Sequence, residues 1–241
     1  MASQGRLYGI GIGPGDTQLL TLKSVEVLNS VDVIFTPRSA PKRNSIARKI
    51  IEPALKGKAQ IIELTFPMTK DKGELESHWS TAAAEVAGIL REGKNAAFVT
   101  LGDPFFYSTY IYLYNKLKEE YPEADIITLP GISSAFASAS AAGVPIAIGD
   151  EKLAIIPLPR DTAAIRPYLE MFDTVIILKV GEKLRGLIDV LTELGLQDNA
   201  VLVQKVSQKG SERIITGLSG LSEAELDEVG YLSTVMVKKN M

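Results

Sequence analysis

From Leu7 to Leu129 the chain alternates short apolar runs with segments of helical length, and the runs lack inside–outside alternation. Leu7–Ile12, Val31–Thr36, Gln60–Leu64, the fully apolar Asn95–Leu101 and Asp125–Leu129 read as strands. Helices fit between them at Thr17–Asn29, with Leu20, Val25 and Leu28 on a buried face, and at Ser45–Leu55, Leu75–Arg91 and Tyr107–Tyr121. Gly93 closes the third of these and Pro122 stops the fourth. A strand that is apolar on both faces must be covered on both faces, so this half predicts a parallel sheet between helical layers.

The texture changes at Pro130 and Gly131, which break the chain before the small-residue segment ISSAFASASAAGVP. Further strands are expected at Leu153–Pro157, Thr174–Val180, Asn199–Val206, Glu212–Gly217 and Leu232–Lys238. The last three have little helix between them, which predicts a mixed sheet with antiparallel pairs. The expected organisation is therefore two α/β domains, residues 1–129 and 130–241, the first mainly parallel and the second mixed.

Composition removes several function classes. The chain has no cysteine, which excludes disulfides, thiolate catalysis and Cys-ligated zinc, and its one histidine, His78, argues against a histidine-built metal site or a Ser-His-Asp triad. A formal net charge of −3 supplies no global attraction to nucleic acid. No apolar stretch approaches the length of a membrane span and no signal-peptide pattern opens the chain, so a cytoplasmic protein is expected.

Four stretches are candidates for a site. GIGIGPGD, Gly9 to Asp16, follows the first strand. A G-x-G-x-x-G fingerprint begun at Gly9 or Gly11 would need its last glycine at Pro14 or Asp16, so both registers fail, and no G-x-x-x-x-G-K-[ST] loop is present. Asp16 reads instead as a helix N-cap, and the glycines as either a tight turn or a ligand-lining loop. TLGDPFFYSTY, Thr100 to Tyr110, lies at the carboxyl end of an apolar strand, where open α/β sheets keep their ligands. There Gly102 permits close backbone approach, Asp103 accepts hydrogen bonds and Pro104 stiffens the turn, beside an aromatic run at Phe105, Phe106 and Tyr107. In LPGISSAFA at the domain junction, Ser133 and Ser134 either cap a helix or present hydroxyls to a ligand. The basic run with Arg38, Lys42, Arg43, Arg48 and Lys49 is either a solvated face or a site for carboxylates or phosphates.

Taken together, GIGPGDTQLLTLKSVEVLNSVDVI, LGDPFFYST and LPGISSAFASASAAGVPIA resemble the tetrapyrrole methyltransferases that use S-adenosylmethionine, with weaker likeness through VIILKV and SERIITG. FPMTKD, GDPFFYSTYIYL and GDEKLAIIP resemble in particular the branch acting at carbon 20 of precorrin-2 or cobalt-factor II. The resemblance spans essentially the whole chain. It implies two α/β domains with S-adenosylmethionine in the cleft between them, S-adenosylhomocysteine as product, a tetrapyrrole substrate in cobalamin biosynthesis and a homodimer. No nucleic-acid or membrane partner and no metal ligand are implied. Diphthine synthases and ribosomal RNA methyltransferases share the cofactor loops, but the charge balance and the FPMT and FYSTYIYL stretches point away from them.

Carried over motif by motif, the likeness implies cofactor contacts at Pro14, Leu101, Gly102, Asp103, Phe106, Ser133 and Ser134. Two more fall on Lys179 and Val206, where many relatives carry methionine and glycine. Where the uroporphyrinogen branch has an acidic residue past the second strand, this chain has Pro37 followed by Arg38, so no base is expected there. Arg38 and Tyr107 are the expected substrate contacts, and Asp103 is chiefly cofactor-orienting with a lesser candidacy as the base. Trp79 and His78 are expected to serve packing or the surface.

Overall fold

A computed structural model describes residues 4–38, 45–57, 59–67, 69 and 71–240. The chain divides into two compact units, Met1–Ser133 and Ser134–Met241.

In the first unit five parallel strands, β1 (Arg6–Gly11), β2 (Val33–Arg38), β3 (Gln60–Thr65), β4 (Ala96–Thr100) and β5 (Asp125–Leu129), take the order β3-β2-β4-β1-β5. Helices α1 (Leu22–Leu28) and α2 (Ile46–Ile51) cover one face, burying Val27, Leu28, Ile50 and Ile51 against Ile10, Ile34, Ala97 and Val99. Helices α3 (Lys72–Arg91) and α4 (Tyr110–Glu120) cover the other, burying Val86, Leu90, Leu113 and Leu117 against Leu7, Val33, Phe35 and Phe98. Neighbouring residues of one strand thus enter different cores, which is why these strands read as unbroken apolar runs. Each large side chain so buried contributes roughly 1.5–3 kcal/mol.

The segment expected to be one helix over Thr17–Asn29 is two. A 3-10 turn spans Thr17–Leu19, Leu20 and Thr21 are extended, and α1 follows. Two capping side chains account for the break: Asp16 accepts from the Gln18 N–H at 2.8 Å, and Thr21 restarts the helix by accepting from the Ser24 N–H at 3.1 Å. Likewise Pro53 begins a 3-10 turn at Glu52–Ala54 that ends α2 short of Leu55.

The second unit opens with α5 (Ser134–Ala142) and continues with β6 (Leu153–Pro157), α6 (Arg166–Met171), β7 (Thr174–Leu178), α7 (Leu184–Glu193), β8 (Ala200–Gln204), β9 (Arg213–Thr216), α8 (Glu223–Asp227) and β10 (Ser233–Lys238). Its sheet runs β6-β7-β10-β8-β9; β6 and β7 are parallel, and the other pairs are antiparallel. Helix α7 packs Leu184, Leu187, Val190 and Leu191 on Val175, Ile177, Leu202 and Val235. The GDEKL stretch forms a turn in which one Glu151 carboxylate oxygen accepts from the Ile148 N–H at 2.9 Å and the buried Lys238 ammonium at 2.6 Å. That ammonium, first, and the Ile148 N–H, second, hold the Glu151 carboxyl below its ordinary pKa. Among the described residues no helix is long and apolar enough to cross a membrane.

Candidate active site

The parallel sheet places the carboxyl ends of β1, β4 and β5 side by side, with Gly11 opposite Thr100 and Ile10 opposite Leu129. The backbone there comes unusually close. A Cβ on Gly11 would lie 2.6 Å from the Gly102 carbonyl oxygen and 2.6 Å from the Gly131 nitrogen. One on Gly131 would lie 2.2 Å from the same oxygen. Beyond them Gly13 and Gly102, at φ +74° and +69°, form an isolated antiparallel bridge. The Gly102 N–H donates to the Gly13 carbonyl at 2.8 Å, and the Gly13 N–H to the Gly102 carbonyl at 3.4 Å. These two N–H groups are therefore spent on joining the glycine turn to the loop after β4, in contrast to a phosphate cradle, which leaves its N–H groups pointing at a ligand. Pro14 follows, buried.

The loop after β4 is tied at three points. Asp103 accepts from the Phe105 N–H through Oδ1 at 2.9 Å and from the Gly131 N–H through Oδ2 at 3.1 Å. One carboxylate thus joins the loop after β4 to the chain leaving β5. The Thr100 and Ser108 hydroxyls lie 2.8 Å apart at the ends of the loop, and the Ser108 oxygen also accepts from the Tyr110 N–H at 3.1 Å. Either hydroxyl can donate in that pair, since the Ser108 oxygen can accept a second hydrogen bond. The Tyr110 ring fills the space that a side chain at Gly9 would need, and its hydroxyl meets Thr128 Oγ1 at 2.8 Å. Burial pushes its phenol up to about 12.

The same fastening bends the chain at Tyr107, whose φ is +52°, so α4 starts at Tyr110 rather than at Tyr107 as expected. Phe105 and Tyr107 are about half exposed, and Phe106 packs edge-on to Tyr107 with ring centroids 4.8 Å apart. Phe105 also packs against Tyr110 and Tyr114, with ring centroids 5.6 and 5.2 Å apart, and Tyr107 keeps an exposed face.

Leu101, Gly102 and Asp103 thus lie on one loop of the first unit, bridged to the turn that holds Pro14, and Ser133 is the last residue of that unit. Ser134 opens α5 in the second unit. Lys179 and Val206 follow β7 and β8, whose carboxyl ends flank the start of β10: Leu178 pairs with Thr234 and Gln204 with Ser233. Lys179 holds φ +57° with its ammonium 5.8 Å from the centroid of Tyr231, and Val206 is buried. Arg38 ends β2, donating to Glu63 at 3.2 Å and to Thr65 Oγ1 at 3.1 Å. Of the basic run, Lys42 and Arg43 lie outside the described residues; so do Met68 and Lys70 of FPMTKD. Arg48 pairs with Glu52 at 3.7 Å. Trp79 stacks on Tyr112, centroids 4.4 Å apart, a packing role for that side chain. Among the described residues no three His, Asp or Glu side chains group to hold a metal.

Sequence reasoning passed over Gly131, Ser108 and Tyr110 as parts of this construction. The proline–glycine break marked Gly131 as a turn, but its contact with Gly11, 120 positions earlier by number, has no local signal.

A glycine-closed parallel sheet with its fastened loop at the carboxyl edge defines an α/β protein of the kind that keeps ligands at that edge. Residues 6–221 match the family model described as Tetrapyrrole (Corrin/Porphyrin) Methylases, and the chain belongs to that family. It is 40% identical over 236 residues to the probable cobalt-precorrin-2 C(20)-methyltransferase of Methanocaldococcus jannaschii, covering 97% of this chain and 96% of that one. To the precorrin-2 C(20)-methyltransferase of a Sinorhizobium species it is 32% identical, covering 97% and 95%. Its fold is that of the uroporphyrin-III C-methyltransferase of Thermus thermophilus solved with S-adenosylhomocysteine, with a TM-score of 0.68, 19% identity and 98% of each chain covered.

Proposed function

We propose that the protein transfers a methyl group from S-adenosylmethionine to carbon 20 of precorrin-2 or its cobalt complex, in cobalamin biosynthesis. The observation that carries this reading is the 40% identity, over nearly the full length of both chains, to a relative named for that activity. The space beside Gly102 fits a bound cofactor: a Cβ there would project into room whose nearest atom is the Ser133 Cα at 3.9 Å. We assign cofactor contacts to Pro14, Leu101, Gly102, Asp103, Phe106 and Ser133 of the first unit and to Ser134, Lys179 and Val206 of the second.

The cofactor supplies an electrophilic methyl on a sulfonium whose departure is neutral. The chain's own residues then hold the reacting carbon, methyl and sulfur in line and keep bulk water away. A fastened loop does this better than a mobile one. The proton displaced from carbon 20 leaves afterwards to a carboxylate or a bound water. In this reading Asp103 is a positioning residue, because both carboxylate oxygens are already engaged by backbone N–H groups. Tyr107 contacts the tetrapyrrole face. Arg38, held by Glu63 and Thr65, meets a substrate carboxylate. The working protein in this reading is a cytoplasmic homodimer.

The deciding experiment is incubation with methyl-labelled S-adenosylmethionine and precorrin-2, with and without cobalt, followed by product mass and label position. Label at carbon 20 is the expected result, and the preferred form names the metal state. Label at another carbon moves the protein to a different member of the family. Calorimetry that detects no binding of S-adenosylhomocysteine would overturn the enzyme reading.

A further inference from the structure

Among the described residues four non-glycine residues adopt left-handed backbone, Tyr107, Lys179, Lys205 and Ser207, and three of them cluster at one end of the second sheet. A side chain in that conformation crowds its own carbonyl, and glycine or asparagine normally occupies it. Such outliers collect where a side chain is needed for function.

The segment Gly230–Ser233, which leads into β10, organises this end. The Val180 N–H donates to the Ser233 carbonyl at 3.3 Å on one side, and the Lys205 N–H to the Leu232 carbonyl at 2.8 Å on the other. Lys179 reaches over Tyr231 of the same segment. The Ser207 N–H is taken by Glu212 Oε2 at 2.5 Å, and the Gln208 N–H by the Lys205 carbonyl at 2.9 Å, which fixes the turn after β8. Within that turn Gln204 and Val206 are buried, and Lys205 between them is exposed. Its ammonium has no hydrogen bond or ion pair among the described residues.

We infer that Lys205 is a substrate-binding residue that pairs with a carboxylate on the rim of the tetrapyrrole, an inference that rests on the reading above. The turn hydrogen-bonds its backbone, so its position is set while its charge stays open. Glycine would serve the turn better, and the sequence has lysine. The methionyl end of the cofactor is the other source of a carboxylate. It is a zwitterion, with its own ammonium beside the carboxylate, and a lone lysine distinguishes it poorly. A polycarboxylate rim presents uncompensated anions to an exposed cation.

The test uses Lys205→Gly, Lys205→Asn and Lys205→Arg, the first two chosen because they suit left-handed backbone. Uroporphyrin is titrated by fluorescence at two salt concentrations, and S-adenosylhomocysteine by calorimetry. The Gly and Asn variants should bind uroporphyrin about three- to fivefold more weakly, as expected for one exposed charge contact, with a shallower salt dependence. Their affinity for S-adenosylhomocysteine should be unchanged, and Arg should retain wild-type porphyrin binding. Equal uroporphyrin affinity in wild type and Lys205→Gly would overturn the assignment, as would a loss confined to S-adenosylhomocysteine. If wild type methylates neither form of precorrin-2, the reading of the reaction fails; the uroporphyrin titration still judges Lys205.

Discussion

The two sheets end in opposite ways. At the carboxyl edge of the parallel sheet Gly11, Gly102 and Gly131 bring three chain segments within backbone contact, and no side chain fits at Gly11 or Gly131. At the matching edge of the mixed sheet Lys179, Lys205 and Ser207 occupy backbone that glycine would take more easily, and their side chains remain. The first edge removes side chains so that main chain can close. The second keeps side chains on strained backbone, and in the proposed reading Lys179 and Lys205 use theirs to meet the ligands.

The largest effect should come from putting a side chain where the first edge excludes one. In Gly131→Ala the new Cβ meets the Gly102 carbonyl oxygen at 2.2 Å and Gly11 main chain at 2.6 Å, and backbone cannot yield as a flexible side chain does. A loss of about 3 kcal/mol or more in urea unfolding is expected, with turnover lost in any protein that still folds. A fully stable variant would mean the closure is looser than its geometry. The next effect tests the fastening of the loop. Ser108→Ala leaves the buried Thr100 hydroxyl and the Tyr110 N–H without their partner, which costs about 2 kcal/mol. Ser108→Thr should restore most of it. In the proposed reaction, kcat should fall in Ser108→Ala more than S-adenosylhomocysteine affinity does, because the loop positions more than it binds.

How legible these edges were follows from where their causes lie in the chain. Unbroken apolar runs announced the parallel sheet, since each strand feeds two cores. Asp16 showed itself as a cap by its place before a helix, and it is one. The broken fingerprint at Pro14 and Asp16 argues against a dinucleotide loop, and in the structure the Gly13 N–H of that turn donates to the Gly102 carbonyl. What stayed hidden depends on long-range partners. Gly9 needs to be glycine because Tyr110 lies over it, and Arg38 is oriented by Glu63 on the neighbouring strand. The strain at Lys179, Lys205 and Ser207 had no signal at all, because the residues that usually mark left-handed backbone are absent there.

A smaller, pH-dependent effect belongs to the second unit. Glu151, ionised at neutral pH, pairs with Lys238, whose side chain is 5% exposed. The folded state lowers the Glu151 pKa, so its contribution is complete above the unfolded value of about 4.3 and fades as pH falls through the lowered folded value. Glu151→Gln should therefore melt below wild type at pH 7. The gap should stay constant down to about pH 5 and narrow below about pH 4. A gap that widened in acid would reverse the sign and exclude this pair as its source.

The smallest effect has the opposite direction and bears most directly on the contrast between the edges. Ser207 sits at φ +62° with its side chain not needed for the Glu212 contact, which uses the backbone N–H. Ser207→Gly removes a left-handed cost of about 1–2 kcal/mol. It adds about 0.4–1 kcal/mol through the freer unfolded chain. The net expectation is a gain of about 0.5 kcal/mol, readable as a small rise in the urea midpoint with unchanged slope. The reverse exchange at the first edge, Gly13→Ala at φ +74° and 3.3 Å from the Leu19 carbonyl oxygen, should lose stability instead. The two substitutions run in opposite directions at nearly the same φ, so opposite signs are expected if backbone strain alone decides, and equal signs would expose a difference between the edges. A loss in Ser207→Gly would show that the serine hydroxyl itself supports the turn, and that the second edge keeps its side chains for structure at this position.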